Sequence, residues 1–138
     1  MLLRQRTLPI ILVAGDIIAL LLFVFIGQAD HETISPGNPL GGILLTGAPF
    51  VAAWLVIGFI YGAFRAGVLA PRVMLTRTVT AWLIALPIGL ALYAFLLGRA
   101  VIVLGFMLAA FSFGGLFILG WRMAFVFIAR WRGITTAK

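Results

Sequence analysis

From Leu8 to Gly27 the chain is almost uninterruptedly apolar, and in the middle of that run sits an acid, Asp16. A helix over this run is about 30 Å long, enough to cross the hydrocarbon of a bilayer. A carboxyl group at that depth costs a few kcal/mol unless it meets a partner, a proton or water. The run therefore fixes the solvent as lipid and sets a problem that the rest of the chain must solve.

Three further apolar runs follow, over about 43–64, 74–97 and 100–129. Of the 138 residues, 64% are hydrophobic and 9% charged, far from the roughly 25% charged of a soluble domain. The expectation is an all-α, polytopic membrane four-helix bundle occupying residues 1–138 as a single transmembrane domain, with no room for a separate soluble one. A basic start before an apolar run also resembles a signal peptide, with Gly27-Gln28-Ala29 as small residues near a cleavage point. The run is long for a signal core and carries Asp16, so a retained first span is expected. Thr7 can cap it and Pro9 suits its first turn.

The polar segments are short. Gln28 to Gly42 holds Asp30, His31 and Glu32, then Ser35-Pro36-Gly37-Asn38-Pro39, whose Pro, Gly and Asn mark turns. Neighbouring residues in such a loop converge poorly on a metal, and a solvated loop is the simpler reading. Arg65 to Arg77 is a basic connection broken by Gly67 and Pro71, and Gly98-Arg99 reads as a tight hairpin. With the N-terminus cytoplasmic, only Arg99 among the 10 basic residues lies on the far side. That bias predicts both termini in the cytoplasm of a cell-membrane protein. The same rule accounts for the net charge of +7 without nucleic acid, since the aromatics lie inside the apolar runs. The basic residues can also meet anionic membrane lipids.

Depth arithmetic addresses Asp16. It lies about 12 Å from the cytoplasmic end of its helix, and Arg122 about 10 Å from that end of the fourth. The pair is expected to meet inside the bundle, with Arg77, nearer the interface, as a further member of an intramembrane charge cluster. An ion pair of this kind can fix helix order and register, because neutralising either partner strands the other in hydrocarbon. It can instead serve as a relay or substrate anchor, although a carrier acid works better unpaired and facing a cavity.

Small residues mark expected close helix approaches: Gly15 beside the acid, Gly58 and Gly62 in a GxxxG pattern, and Ala81, Ala85 and Gly89 at every fourth position. Pro49 and Pro87 should kink the second and third helices, and Tyr93 should reach the interface. Trp54, Trp82, Trp121 and the Phe-rich fourth run (Phe106, Phe111, Phe113, Phe117, Phe125, Phe127) read as bundle packing or as a groove for lipid, carotenoid or quinone.

The chemistry available is narrow. With 0 Cys and 1 His, which lies outside the apolar runs, thiolate metal sites, iron–sulfur clusters and a histidine ligand to haem or chlorophyll within the membrane are excluded. Ser112 has no base in reach, and nucleotide-binding glycine patterns are absent. No catalytic, cofactor or metal residue is assigned.

Several residues together resemble one family: Gly15-Asp16, Phe25-x-Gly27 with His31 after it, Pro49-Phe50 with Trp54, and Gly120-Trp121-Arg122. In that order they resemble domain of unknown function 3054, small four-helix membrane proteins of bacteria and archaea. The resemblance implies four helices and points at the same Asp16 and Arg122, and implies no activity, ligand or partner. The leading expectation is a non-catalytic accessory or assembly subunit of a larger membrane complex, respiratory or photosynthetic, contacting lipids and other transmembrane subunits or itself. The alternatives are an oligomeric transporter or channel using Asp16, and a pigment- or quinone-binding protein.

Overall fold

The computed structural model describes residues 2–65, 69–98 and 104–134, with side chains from residue 7 onward. Its helices are α1 (Leu2–Asp30), α2 (Pro39–Ile60), α3 (Pro71–Leu96) and α4 (Leu104–Trp131). All four are long and apolar enough to cross a membrane. They run up, down, up, down. α1 packs on α2 and α4, and α3 packs on the same two, so the order around the bundle is α1–α2–α3–α4, with the α2–α3 seam the most extensive.

Local chemistry sets the helix ends. α1 starts at Leu2, ahead of Thr7, and carries Pro9 inside it. α2 starts at Pro39, because the Asn38 side chain accepts a hydrogen bond from the Gly41 N–H at 2.9 Å and Pro39 takes the first helical position. α3 likewise opens on Pro71. α2 stops at Ile60, where Gly62 adopts φ +67°. The Ala63 N–H then bonds the Gly58 carbonyl at 2.7 Å and the Gly62 N–H bonds that of Phe59 at 3.1 Å. This is a Schellman stop, which closes carbonyls that hydrocarbon could not satisfy.

The GxxxG pattern therefore has a different role from the one its spacing suggests. Gly62 lies beyond the helix, and a Cβ on Gly58 would meet Phe64 at 2.8 Å, a residue of the same turn. The pair shapes the end of α2 and makes no helix–helix seam. Ala81, Ala85 and Gly89 do line one: all are buried, and a Cβ on Gly89 would lie 3.0 Å from Phe50 Cδ1 and 3.2 Å from its Cα. Pro49 and Pro87 both sit within continuous helices. Tyr93 is half-buried, its ring 5.8 Å from Phe50 and 5.6 Å from Phe106. The Gly98-Arg99 hairpin is described only to Gly98, at φ +60°. Arg99 and Gly67 lie outside the described residues.

α4 is not uniform. Leu104–Ala109 and Gly115–Trp131 are α-helical, and Ala110–Gly114 between them is π-helical. Trp82 of α3 packs against this turn. The Trp82 indole presses on Gly114 and Gly115, where a Cβ would lie 2.8 and 2.9 Å from it. Its Nε1–H donates to the Phe111 carbonyl at 3.1 Å, an acceptor also used by the Gly115 N–H. The Phe111 carbonyl therefore accepts from both its own helix and α3.

Candidate functional site

All four helices converge on one polar node. Asp16 on α1, Thr78 on α3 and Arg122 on α4 are each 0% exposed, as is Trp54 on α2. The carboxylate and guanidinium meet in a two-point fork: Arg122 Nη2 lies 2.6 Å from Asp16 Oδ2, and Nε lies 3.0 Å from Oδ1. Paired donors facing paired acceptors give the strongest geometry such a contact can have. Asp16 Oδ2 also accepts the indole N–H of Trp54 at 3.0 Å.

The remaining nitrogen of the guanidinium is engaged as well. Nη1 donates to the Ala63 carbonyl at 2.9 Å and to Thr78 Oγ1 at 3.1 Å. The Ala63 carbonyl is offered inward by the Gly62 turn. The Arg122 Cζ lies 5.0 Å from the Trp54 ring centroid and 5.2 Å from that of Phe64, so two aromatic faces add attraction for the cation. The node joins α1 to α4 by the ion pair, α1 to α2 by the indole, and α4 to α3 and the α2–α3 turn by Nη1.

The surroundings are built to admit it. Gly15, the residue before the acid, faces the Trp121 ring, and a methyl group placed there would fall inside that ring. The Trp121 Nε1–H reaches the Leu12 carbonyl of α1 at 3.3 Å. Two indoles of neighbouring character thus tie α1 to its neighbours one turn apart.

Arg77 stands apart from the node. Its Nη1 donates to the Gly62 carbonyl at 3.1 Å, capping the end of α2 while Asp16 is held by Arg122. The Asp30, His31 and Glu32 side chains are exposed, and among the described residues no group of acids and histidine is placed to hold a metal. Thr78 and the Ala63 carbonyl are node members that the sequence did not single out, and Trp54 stood out there as an aromatic and as part of the family motif but not as a partner of Asp16. Their depth was the available signal: Trp54 lies about 9 Å from the same end of α2, and Thr78 about 10 Å from the start of α3, level with Asp16.

A second feature lies at the α3–α4 seam. An apolar groove of about 380 Å³ opens there, with Trp82 and Phe111 among its walls.

Four apolar helices closed around a buried ion pair define a multi-pass membrane protein. Residues 13–125 match the family described as Protein of unknown function (DUF3054), and the chain belongs to that family. The matched stretch contains both Asp16 and Arg122. No curated protein and no solved structure matches.

Proposed function

We propose that this protein is a non-catalytic membrane subunit, an accessory or assembly component of a larger membrane complex such as a respiratory or photosynthetic one. The observation that carries the reading is the closed state of the node. Asp16 and Arg122 are both 0% exposed, the carboxylate accepts three hydrogen bonds, and the guanidinium donates four. A relay or substrate anchor needs a group with spare valence facing a path. A pair in which every nitrogen and oxygen has a partner does the work of a clamp, fixing which helices touch and in what register. The outer faces of the bundle, rich in exposed Leu, Ile and Phe, are then what the protein offers to lipid and to other membrane helices.

Native mass spectrometry of the tagged protein, released gently from its own membranes, tests this. Other subunits at fixed stoichiometry support the accessory role. A homodimer or ring carrying nothing else favours transport, and loss of flux in an Asp16→Asn variant that keeps the wild-type circular dichroism melt would then support it.

A further inference from the structure

The basic end of the bundle has no acid to balance it. The chain holds 3 acidic residues. Asp16 is taken by Arg122, and Asp30 and Glu32 lie at the opposite end, Asp30 as the last residue of α1 and Glu32 just after it. Among the described residues the guanidinium groups of Arg65, Arg72, Arg130 and Arg132 make no hydrogen bond or ion pair, and all four are exposed. The end of α4 and the start of α3 are held together, since Leu69, Met74, Phe125 and Ala129 share one buried cluster with Ile134 against it.

Two of these arginines continue the rails of the α3–α4 groove. On α3, Arg72, Val79 and Leu83 share a face, seven and eleven positions apart, and all are exposed. On α4, Arg130, Phe127, Met123, Leu119 and Leu116 share a face by the same helical spacing. Val79, Leu83, Leu116 and Leu119 line the groove. Arg72 therefore stands about 10 Å along α3 from the groove, and Arg130 about 16 Å along α4. The groove volume of about 380 Å³ falls in the range of roughly 300–1,000 Å³ typical of small-molecule sites. Its walls carry no charge and open sideways between two membrane-spanning helices, so its occupant enters from the bilayer.

We propose that the α3–α4 seam binds an anionic phospholipid, the phosphate between Arg72 and Arg130 and one acyl chain in the groove beside Trp82. Charge at one end and hydrocarbon at the other match a single amphipathic molecule. An acidic protein segment would satisfy the arginines and leave the groove to something else. Basic residues beside a membrane interface attract anionic headgroups, each guanidinium contributing a several-fold preference. This inference rests on the membrane fold and stands apart from the accessory role.

The test is native mass spectrometry of the purified protein titrated with dioleoylphosphatidylglycerol and, separately, dioleoylphosphatidylcholine. The wild type should retain the anionic lipid about tenfold or more in preference. Arg72→Gln with Arg130→Gln should level the two lipids, whereas Arg65→Gln, which removes a charge from the turn between α2 and α3, should leave the preference in place. Val79→Trp fills the groove and should weaken retention of phosphatidylglycerol with both arginines intact. Far-UV circular dichroism melts of these surface variants should match the wild type. Equal retention of the two lipids by the wild type leaves the arginines to an acidic partner and overturns the proposal. So does a preference that survives the double substitution, an equal loss in Arg65→Gln, or displacement of the lipid by inorganic phosphate. Unchanged retention in Val79→Trp removes the acyl-chain site and overturns it as well.

Discussion

Replacing Gly15 by alanine adds one methyl group at the tightest point of the α1–α4 contact. In a helix interior the exchange is ordinarily favourable by about 1 kcal/mol. Here the new carbon would lie within the Trp121 ring, so the indole must move. Overpacking of this kind costs about 1–3 kcal/mol. Moving Trp121 also strains its bond to the Leu12 carbonyl, and interhelical hydrogen bonds in membranes average about 0.6 kcal/mol. The steric cost wins, and Gly15→Ala should destabilise the bundle by about 1–3 kcal/mol. The assay is unfolding in mixed micelles by titrated dodecyl sulfate, followed by circular dichroism. Gly120 supplies the internal control: it lies on the same α4 that carries Trp121, and a Cβ there meets nothing within 4 Å. Gly120→Ala should be neutral or stabilising by up to about 1 kcal/mol. In a Trp121→Leu background the cost of Gly15→Ala should shrink. Equal stabilities for the two alanine variants, or a Gly15→Ala cost unchanged in that background, would refute the packing argument.

Other substitutions sort the polar contacts by weight. Trp54→Phe keeps the ring near Arg122 and deletes one donor to Asp16, so the same titration should register about 0.6–1.7 kcal/mol. Arg77→Ala removes a single bond to the Gly62 carbonyl and should cost about 1 kcal/mol, well below any loss at Asp16; a cost equal to that of losing Asp16 would place Arg77 in the clamp. Gly62→Ala forces a Cβ into φ +67° and should cost about 1–2 kcal/mol, read as a lowered midpoint with an unchanged spectrum.

Much of this architecture is legible in the chain because membrane helices have so few ways to satisfy a charge. Asp16 and Arg122 can be matched by depth alone, since each sits in an apolar run of nearly fixed length. Trp54 and Thr78 escaped the same arithmetic because an indole or a hydroxyl in an apolar run costs little and reads as packing. Gly58 and Gly62 show the limit of spacing patterns. Four residues apart means one face only if the helix continues, and the left-handed turn at Gly62 ends it. The start of α2 turns on Asn38 and Pro39, a cap signal hidden within a Pro- and Gly-rich loop. The π-helical turn at Ala110–Gly114 carries no local signal in its own residues, and its neighbour Trp82, on another helix, packs on Gly114 and Gly115. Contacts made between distant segments are the part a one-dimensional pattern does not carry.

The central claim is that Asp16 and Arg122 form one structural clamp. It is tested most directly by a double-mutant cycle of Asp16→Leu, Arg122→Met and both together, in the same micelle titration. An orphaned guanidinium cannot lose its proton, and breaking a buried pair from one side costs about 3–5 kcal/mol. Each single variant should therefore fall in that range, with Asp16→Leu the worse. The double variant, an apolar pair of similar shape, should recover most of the loss and still fold. Single losses below about 1 kcal/mol, or a double loss equal to the sum of the two, would contradict the clamp.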